Sequence, residues 1–408
     1  MTLPRELEIR LRDLLAHFPV VALIGARQVG KTTLGRQVLD HAPLFTFDPT
    51  RDLGGARSDP DFFLQNQPTP CFLDEIQYAP ELLAALKRLV DKEPGNGRYL
   101  ISSSHNLALL RQVSESMAGR VALLRLSTMS LRELWERTDS PSFLAHWFSE
   151  RTLPSRAPPP PKETLPLRVW RGGFPGLIEI PDRLVASFFE SYLGTYLERD
   201  VRLVTNVQSL PNFRRFTRLL AALTAQEINS LQLGRELEVD RKTALSWKAV
   251  LEATWLWNEV PAWSRNSIKR IAGKAKGYMC DTGLACHLMQ ITSPQSLIDH
   301  PAWGSLYETF MVNEIRKATD SFGQAPFMSH FRTRGGTEVD LVLERDGWLF
   351  PIEFKAKSNP TAKDGSGILA FRDAMPGQRI ADGLVVSAVV EPRRINPHVL
   401  AVPWWWIG

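Results

Sequence analysis

The chain has 408 residues, too many for one compact core, and its 44% hydrophobic and 23% charged residues are typical of a globular protein with roughly two to four domains. Three cysteines exclude a disulfide framework. The absence of a charged-then-apolar leader and of an apolar run of about 18 residues predicts a cytoplasmic protein with no membrane partner. The 49 basic residues only slightly outnumber the 44 acidic ones, which permits a nucleic-acid partner without requiring one.

The N-terminal region predicts a helix, a strand and then a phosphate-binding loop. Leucines recur at helical spacing over residues 1–18, and the apolar run 20–24 reads as a strand. The octapeptide 25–32 fits the pattern G-x-x-x-x-G-K-[ST], and residues 33–39 after it read as helix. The nucleotide-binding residues predicted from this motif are Gly25, Ala26, Arg27, Gln28, Val29, Gly30, Lys31, Thr32 and Thr33.

Each part of this loop has a defined task in nucleotide binding. The glycines let backbone N–H groups turn towards phosphate oxygens at a helix N-terminus. Lys31 is expected to lie between the β- and γ-phosphates, and Thr32 to give its hydroxyl to Mg²⁺. ATP and Mg²⁺ are therefore the predicted cofactors.

A second acidic motif follows a short strand predicted at 44–48. The apolar run 70–73 ends in Asp74 and Glu75, which is the Walker B arrangement. We expect Asp74 to hold the Mg²⁺ shell and Glu75 to orient and polarise the attacking water.

Polar side chains follow the next predicted strand, 98–101, after a helix predicted over 81–91. Ligand-contacting residues sit at the carboxyl ends of strands in an open parallel sheet, so Ser102, Ser104 and Asn106 are candidate sensors of the γ-phosphate. A serine run after a strand is equally typical of a helix cap. A helix over 107–117 and a fifth strand over 121–126 complete this part.

Six motifs in this order are similar to one known family. They are Gly25–Thr32, Phe72–Gln77, Ser114–Arg120, Gly172–Gly176, Tyr196–Asp200 and Asp281–Leu284. As a set, they resemble the large prokaryotic AAA-type ATPase family that carries a C-terminal domain of long-unknown function, and the resemblance covers nearly the whole chain. Ser103 departs from the family pattern, because the sensor stretch usually has a glycine there.

The resemblance implies an α/β fold with four parts. A P-loop (AAA+) parallel-sheet core is expected over residues 1–138, and a Pro-rich connector with a helical lid over 139–208. A winged helix-turn-helix is expected over 209–292, and a restriction-endonuclease-like α/β domain over 293–408.

Oligomeric AAA+ proteins complete their site with an arginine from a neighbouring subunit. Arg120 is placed for this role just before the fifth strand, in a homo-oligomer such as a hexamer. The alternative is a surface arginine on a turn. Arg171 and Arg199 compete as lid arginines that contact nucleotide within one chain.

The region after residue 211 reads as short helices with a basic stretch. A short helix, a turn at 238–240 and a longer helix are typical of helix-turn-helix organisation. The predicted DNA contacts are Arg241, Lys242, Lys248, Lys269, Arg270 and Lys274. A basic run is also typical of a solvated face, and winged helices also bind proteins.

The last 110 or so residues carry a second catalytic-looking pattern. Asp340 and Glu353-x-Lys355 lie on two predicted strands of a hairpin, with Glu308 on a preceding helix. This resembles the PD-(D/E)xK nuclease superfamily, with Asp340 and Glu353 as ligands of a second divalent metal and Lys355 as the catalytic cation. The alternatives are a salt-bridged strand pair or a decayed nuclease fold.

Together these patterns predict a Mg²⁺-dependent AAA+ ATPase that couples ATP turnover to DNA binding, translocation or remodelling. Two alternatives stay open: a nucleotide-controlled switch that docks a protein, and a metal-dependent nuclease licensed by ATP. Trp404–Trp406 is expected either to pack against a sheet edge or to form an interaction patch.

Overall fold

The computed structural model describes residues 3–104, 117, 119–201, 209–264, 273–333 and 335–408, with the side chains of 198–200 and 230–232 excepted. Its α-helices are α1 (Leu7–His17), α2 (Lys31–Val38), α3 (Pro60–Gln65), α4 (Glu81–Lys92), α5 (Leu131–Leu134), α6 (Phe143–Glu150), α7 (Leu165–Arg171), α8 (Val185–Thr195), α9 (Leu210–Ala222), α10 (Ser230–Glu236), α11 (Arg241–Ala253), α12 (Thr282–Leu288), α13 (Pro294–Ile298), α14 (Trp303–Asp320) and α15 (Ser366–Ala374). Within these ranges, no helix combines the length and the apolar character that crossing a membrane requires.

The strands form three sheets. They are β1 (Val20–Ile24), β2 (Leu44–Thr46), β3 (Cys71–Asp74), β4 (Tyr99–Ser103), β5 (Val121–Arg125), β6 (Gln226–Glu227), β7 (Trp257–Val260), β8 (Lys276–Met279), β9 (Phe327–Arg332), β10 (Glu338–Arg345), β11 (Trp348–Lys355), β12 (Arg379–Ile380), β13 (Gly383–Ser387), β14 (Arg393–Asn396) and β15 (Val399–Pro403).

The first sheet is all parallel, in the order β2-β3-β4-β1-β5. Every residue of β1, β3 and β4 is buried, because helices and loops cover both faces of such a sheet. Separate apolar clusters pack on the two faces. The α/β fold with a parallel sheet is therefore confirmed, and the order makes β1, β3 and β4 neighbours at one carboxyl edge.

The C-terminal half is built on a mixed seven-stranded sheet, β14-β15-β13-β11-β10-β9, with β12 paired to β11. The small antiparallel sheet β6-β8-β7 accompanies α9, α10 and α11. These helices and strands lie where the sequence predicted a helix-turn-helix, whereas the winged-helix and nuclease-like classifications stay predictions.

One apolar core runs through everything that follows the parallel sheet. A single cluster of buried side chains extends from Leu131 to Ile407 and includes residues of all three predicted C-terminal parts. Trp404–Trp406 is buried in it, with the Trp404 ring 5.7 Å from that of Trp135 and the Trp406 ring 5.4 Å from that of Phe143. The tryptophans are therefore core residues, and the boundaries at 139, 209 and 293 stay a prediction.

Candidate functional site

The phosphate loop owes its shape to two glycines. Gly25 has φ +154°, and a Cβ there would lie 2.1 Å from the carbonyl oxygen of Leu126. Gly30 has φ +95° and caps α2 in the left-handed region that favours glycine. Helix α2 therefore begins at Lys31 and directs the N–H groups of its first turn into the loop, where an anion is favoured.

Lys31 is held inside this loop. Its side chain is buried, and Nζ donates to the carbonyl oxygens of Gly25 at 2.9 Å and Ala26 at 2.8 Å. It also donates to Oγ of Ser104 at 3.2 Å. The ammonium therefore stands between the loop and the end of β4, where phosphates bound by the loop would lie.

Asp74 is surrounded by hydroxyl groups at the end of β3. Its carboxylate accepts from Thr32 Oγ1 at 2.9 Å, from Thr46 Oγ1 at 3.5 Å and, on the other oxygen, from Ser102. Burial raises the pKa of Asp74, the charge of Glu75 adds to this, and the hydroxyl donors work against it. Thr32 and Asp74 thus meet as predicted.

Glu75 follows in a left-handed conformation, φ +57°. Its backbone N–H donates to Ser102 Oγ at 3.1 Å, and its side chain accepts from Ser104 Oγ at 3.0 Å and from Gln77. Of the candidate sensors, Ser102 therefore braces the acidic pair and Ser104 links Lys31 to Glu75, while Asn106 lies outside the described residues.

A cavity of ≈ 350 Å³ opens beside the loop. Its lining includes Gly30, Thr33 and Gln37 from the loop and α2, Pro175 from the Gly-rich motif and Arg5 from the N-terminal segment. The cavity adjoins the helix N-terminus that receives phosphates, so its position is suited to the base or sugar of a nucleotide.

The sequence predictions missed Arg5. This buried side chain donates from Nη1 to Val29 O at 2.7 Å, from Nη2 to Ser127 O at 2.8 Å and from Nε to Glu133 Oε1 at 2.9 Å. It therefore ties the phosphate loop to the segment after β5. Its only signal was a charged residue just before a helix, which is usually solvated.

The arginine candidates lie in different settings. Arg120 precedes β5 at the sheet edge opposite the phosphate loop, and it forms an ion pair with Asp91. A contact with its own chain's nucleotide is therefore excluded, and the role towards a neighbouring subunit stays a prediction. Arg171 is engaged by Asp182 and by the carbonyl oxygens of Leu177 and Ile180, so its guanidinium braces its own loop. The Arg199 side chain lies outside the described residues.

The structure corrects one predicted DNA contact. The ammonium of Lys248 is bonded to Glu252 at 3.1 Å and Glu259 at 2.5 Å, and its side chain is 17% exposed. Two carboxylates neutralise this charge, so Lys248 is a structural ion-pair partner. Arg241, Lys242 and Lys274 are exposed, whereas Lys269 and Arg270 lie outside the described residues.

The predicted nuclease-like residues do come together. Asp340 on β10 and Glu353 on β11 are buried, and Lys355 Nζ lies 2.8 Å from Glu353 Oε2 and 3.6 Å from Asp340 Oδ2. Glu308 on α14 faces the same cluster and receives a hydrogen bond from Tyr278 OH at 2.8 Å. Even so, the described residues contain no group of three or more His, Cys, Asp or Glu side chains arranged to hold a metal.

Burial controls protonation in this second cluster. It raises the pKa of Glu308 to about 8, with the charge of Asp340 adding to the rise and Lys276 opposing it. The pKa of Glu353 is also raised, chiefly by burial and by Asp340, whereas Lys355 and Lys276 keep that of Asp340 low despite its burial.

The phosphate loop, the Asp74–Glu75 pair and the parallel sheet define a P-loop ATPase of the AAA type. Residues 17–135 match the family model described as an AAA domain. Residues 162–295 and 303–407 match two models described as domains of unknown function, DUF8612 and DUF4143.

The uncharacterized protein Rv2008c of Mycobacterium tuberculosis is 30% identical over 403 residues, which are 98% of this chain and 83% of the relative. The uncharacterized protein Mb2031c of Mycobacterium bovis matches with the same figures. The chain belongs to the same family as these two proteins. Among solved structures, the Walker-type ATPase PABY2304 of Pyrococcus abyssi is 15% identical with a TM-score of 0.43, over 70% of this chain and 96% of that one.

Proposed function

We propose that the chain hydrolyses ATP in a Mg²⁺-dependent reaction at the phosphate loop. The observation that supports this most directly is the convergence of five side chains at one sheet edge: Lys31, Thr32, Asp74, Glu75 and Ser104. They come from three neighbouring elements, and hydrogen bonds connect Thr32 to Asp74 and Lys31, through Ser104, to Glu75.

The roles follow from the chemistry of each group. Thr32 Oγ1 and Asp74 Oδ2, 2.9 Å apart, are the oxygen donors that Mg²⁺ takes, and the bound ion neutralises charge on the phosphate oxygens. Lys31 binds the β- and γ-phosphates, and Glu75 accepts a hydrogen bond from the attacking water and orients it. Ser104 lies between Lys31 and Glu75 and therefore senses the γ-phosphate.

ATP occupancy is coupled to the C-terminal half through residues 127–133. Arg5 joins Val29 of the loop to Ser127 and Glu133. On the other side of this segment, the backbone N–H of Leu131 donates to Glu314 Oε2 of α14 at 2.7 Å. A loop that shifts on binding phosphate would move a segment already bonded to α14.

The coupled activity is DNA binding with translocation or remodelling, carried by a homo-oligomer. Exposed Arg241, Lys242 and Lys274 support DNA contact, since cations that can be displaced from water bind phosphates. The second candidate, a nucleotide-controlled switch that docks a protein, is supported by Leu245, which is 39% exposed beside these cations on α11.

Steady-state ATPase rates with single-stranded, double-stranded and branched DNA test the main proposal. We expect Lys31→Ala to abolish turnover and exposed Lys92→Ala to leave it intact. Stimulation on the order of tenfold by one DNA form supports the coupled activity. Turnover that no DNA changes would exclude it and favour the switch, whereas a Lys31→Ala enzyme with wild-type turnover would contradict the ATPase site itself.

Paired substitutions test the DNA surface. Arg241→Ala/Lys242→Ala is compared with Arg156→Ala/Lys162→Ala, which removes the same charge from exposed residues elsewhere. Fluorescence anisotropy should show weaker DNA binding, with a shallower salt dependence, only for the first pair. Equal losses in both pairs would mean that only net charge matters.

A third comparison tests the neighbouring-subunit role of Arg120. Arg120→Ala should lower kcat by ~10³–10⁵ while ATP binding persists. Asp91→Asn breaks the same ion pair but keeps the guanidinium, so its kcat should stay close to wild type. Equal loss in both variants would assign Arg120 a structural role.

A further inference from the structure

Four carboxylates meet where the C-terminal sheet faces α14. Glu308 comes from the helix, Glu338 and Asp340 from β10 and Glu353 from β11. A nuclease of the kind the sequence resembles would hold a divalent metal among them. Whether the residues present fit such an ion depends on what already contacts their oxygens.

A lysine from a different sheet enters this cluster. Lys276 lies on β8, and only 4% of its side chain is exposed. Its Nζ is 3.0 Å from Glu308 Oε1 and 3.6 Å from Asp340 Oδ1, and it also contacts Glu338. Three carboxylates from two elements thus surround one ammonium group.

The backbone fixes this lysine in place. Lys276 is paired with Val260 of β7 on one side and with Glu227 of β6 on the other. The side chain cannot leave the cluster by a shift of β8 alone unless two ladders break. Lys276 therefore belongs to the sheet as firmly as the carboxylates belong to theirs.

The remaining oxygens are engaged from the other side. Asp340 Oδ2 accepts from the backbone N–H of Phe354 at 2.9 Å and faces Lys355 at 3.6 Å, and Lys355 binds Glu353 at 2.8 Å. Tyr278, two residues after Lys276, donates to Glu308. With both Asp340 oxygens occupied and an ammonium among the acids, the residues present do not fit a divalent metal.

We propose that the ammonium of Lys276 is the resident cation of this carboxylate pocket and stands where a divalent metal would bind. The pocket is then an intramolecular receptor that latches the β6-β8-β7 sheet onto α14 and β10. Removing the ammonium leaves converging carboxylate oxygens, which are the ligands that Mg²⁺ and Mn²⁺ take.

Mn²⁺ binding to the nucleotide-free full chain tests this directly. All proteins carry Asp74→Asn, which removes an oxygen of the ATPase site, and free Mn²⁺ is measured by electron paramagnetic resonance. Lys276→Met and Lys355→Met are added separately, so that the same charge is removed from the same cluster at two positions. Asp340→Asn is then added to the Asp74→Asn parent and to the Lys276→Met protein, with circular dichroism to confirm folding.

We expect Lys276→Met to gain one Mn²⁺ per chain, bound about tenfold or more tightly than by the parent, and to lose it with Asp340→Asn. Lys355→Met should gain none. Folded Lys276→Met without the gain, or an equal gain in both lysine variants, would overturn the proposal.

The parent settles the matter if Lys276→Met does not fold. A Mn²⁺ site that disappears on Asp340→Asn while Lys276 is intact would overturn the proposal. The same Mn²⁺ binding with and without Asp340→Asn would support it, because an occupied pocket has no metal to lose.

Discussion

The two acidic centres of the chain use the same residue types in opposite ways. At the phosphate loop, Asp74 is held by the hydroxyls of Thr32, Thr46 and Ser102. In the C-terminal cluster, Asp340 faces the ammonium groups of Lys276 and Lys355. Both carboxylates are buried at the end or within a sheet strand.

The difference lies in what can be exchanged. A neutral hydroxyl that donates to a carboxylate can turn its oxygen towards a metal, so Thr32 and Asp74 can share one. An ammonium has no acceptor and repels a metal. The partner of the aspartate, more than the aspartate itself, therefore decides whether an acidic centre can work as a metal site.

The largest expected effect separates the two centres by activity. Glu75→Gln should lower kcat for ATP by ~10²–10⁴, because the amide cannot orient and polarise water as the carboxylate does. Glu353→Gln, the same change in the other centre, should stay within about twofold of wild type. Steady-state ATPase assays measure both, and a large loss in Glu353→Gln would show that the C-terminal cluster takes part in turnover.

Stability should separate the two lysines of the C-terminal cluster. Lys276→Met leaves three carboxylates without their buried partner and should lower the free energy of unfolding by ~3–5 kcal/mol. Lys355→Met should cost less, because its side chain is 33% exposed and water screens the charge. Urea unfolding decides, and the reverse order would refute the latch.

Arg5 should affect binding of ATP more than its hydrolysis. Arg5→Lys keeps the charge but cannot reach Val29, Ser127 and Glu133 together, so KM for ATP should rise about tenfold with kcat little changed. Arg36→Lys, an exposed change on α2, is the control. A fall in kcat at constant KM would instead place Arg5 at the reacting atoms.

The smallest effect is a pH slope. The pKa of Glu308 rises from 4.5 to about 8, so the folded chain binds more protons than the unfolded chain between these values. The free energy of unfolding should therefore fall as pH rises through this window, by at most ~1.4 kcal/mol per pH unit from this group.

Glu308→Gln should flatten that slope. Tyr278, Lys276 and Asp340 still face the site, and Glu353, whose pKa is raised as well, keeps part of the slope. Urea midpoints at pH values between about 5 and 8 measure it. An unchanged slope would mean that Glu308 is already ionised in the folded chain.

Sequence reasoning succeeded where chemistry is local. The loop and the acidic pair are contiguous in sequence, and five apolar runs with the right spacing predicted the five parallel strands. Because neighbouring strands end at one edge, Ser104 could be placed near Lys31 without coordinates.

It failed where a partner is distant in sequence. Lys248 seemed exposed because Glu259 lies beyond the end of its helix, and Glu252 one turn along was overlooked. Lys276 belonged to a basic stretch and gave no sign that three acids on other elements enclose it. Helical spacing cannot report such pairings, because they depend on tertiary packing.

The buried tryptophans near residue 405 bear on how the chain matures. Helix α6 emerges from the ribosome long before Trp406, yet the ring of Phe143 packs against that tryptophan. Until then, the apolar face of α6 waits for a partner of high sequence separation, which slows folding and exposes a sticky surface. We therefore expect the nascent chain to depend on chaperones over this interval, although its N-terminal sheet can form early.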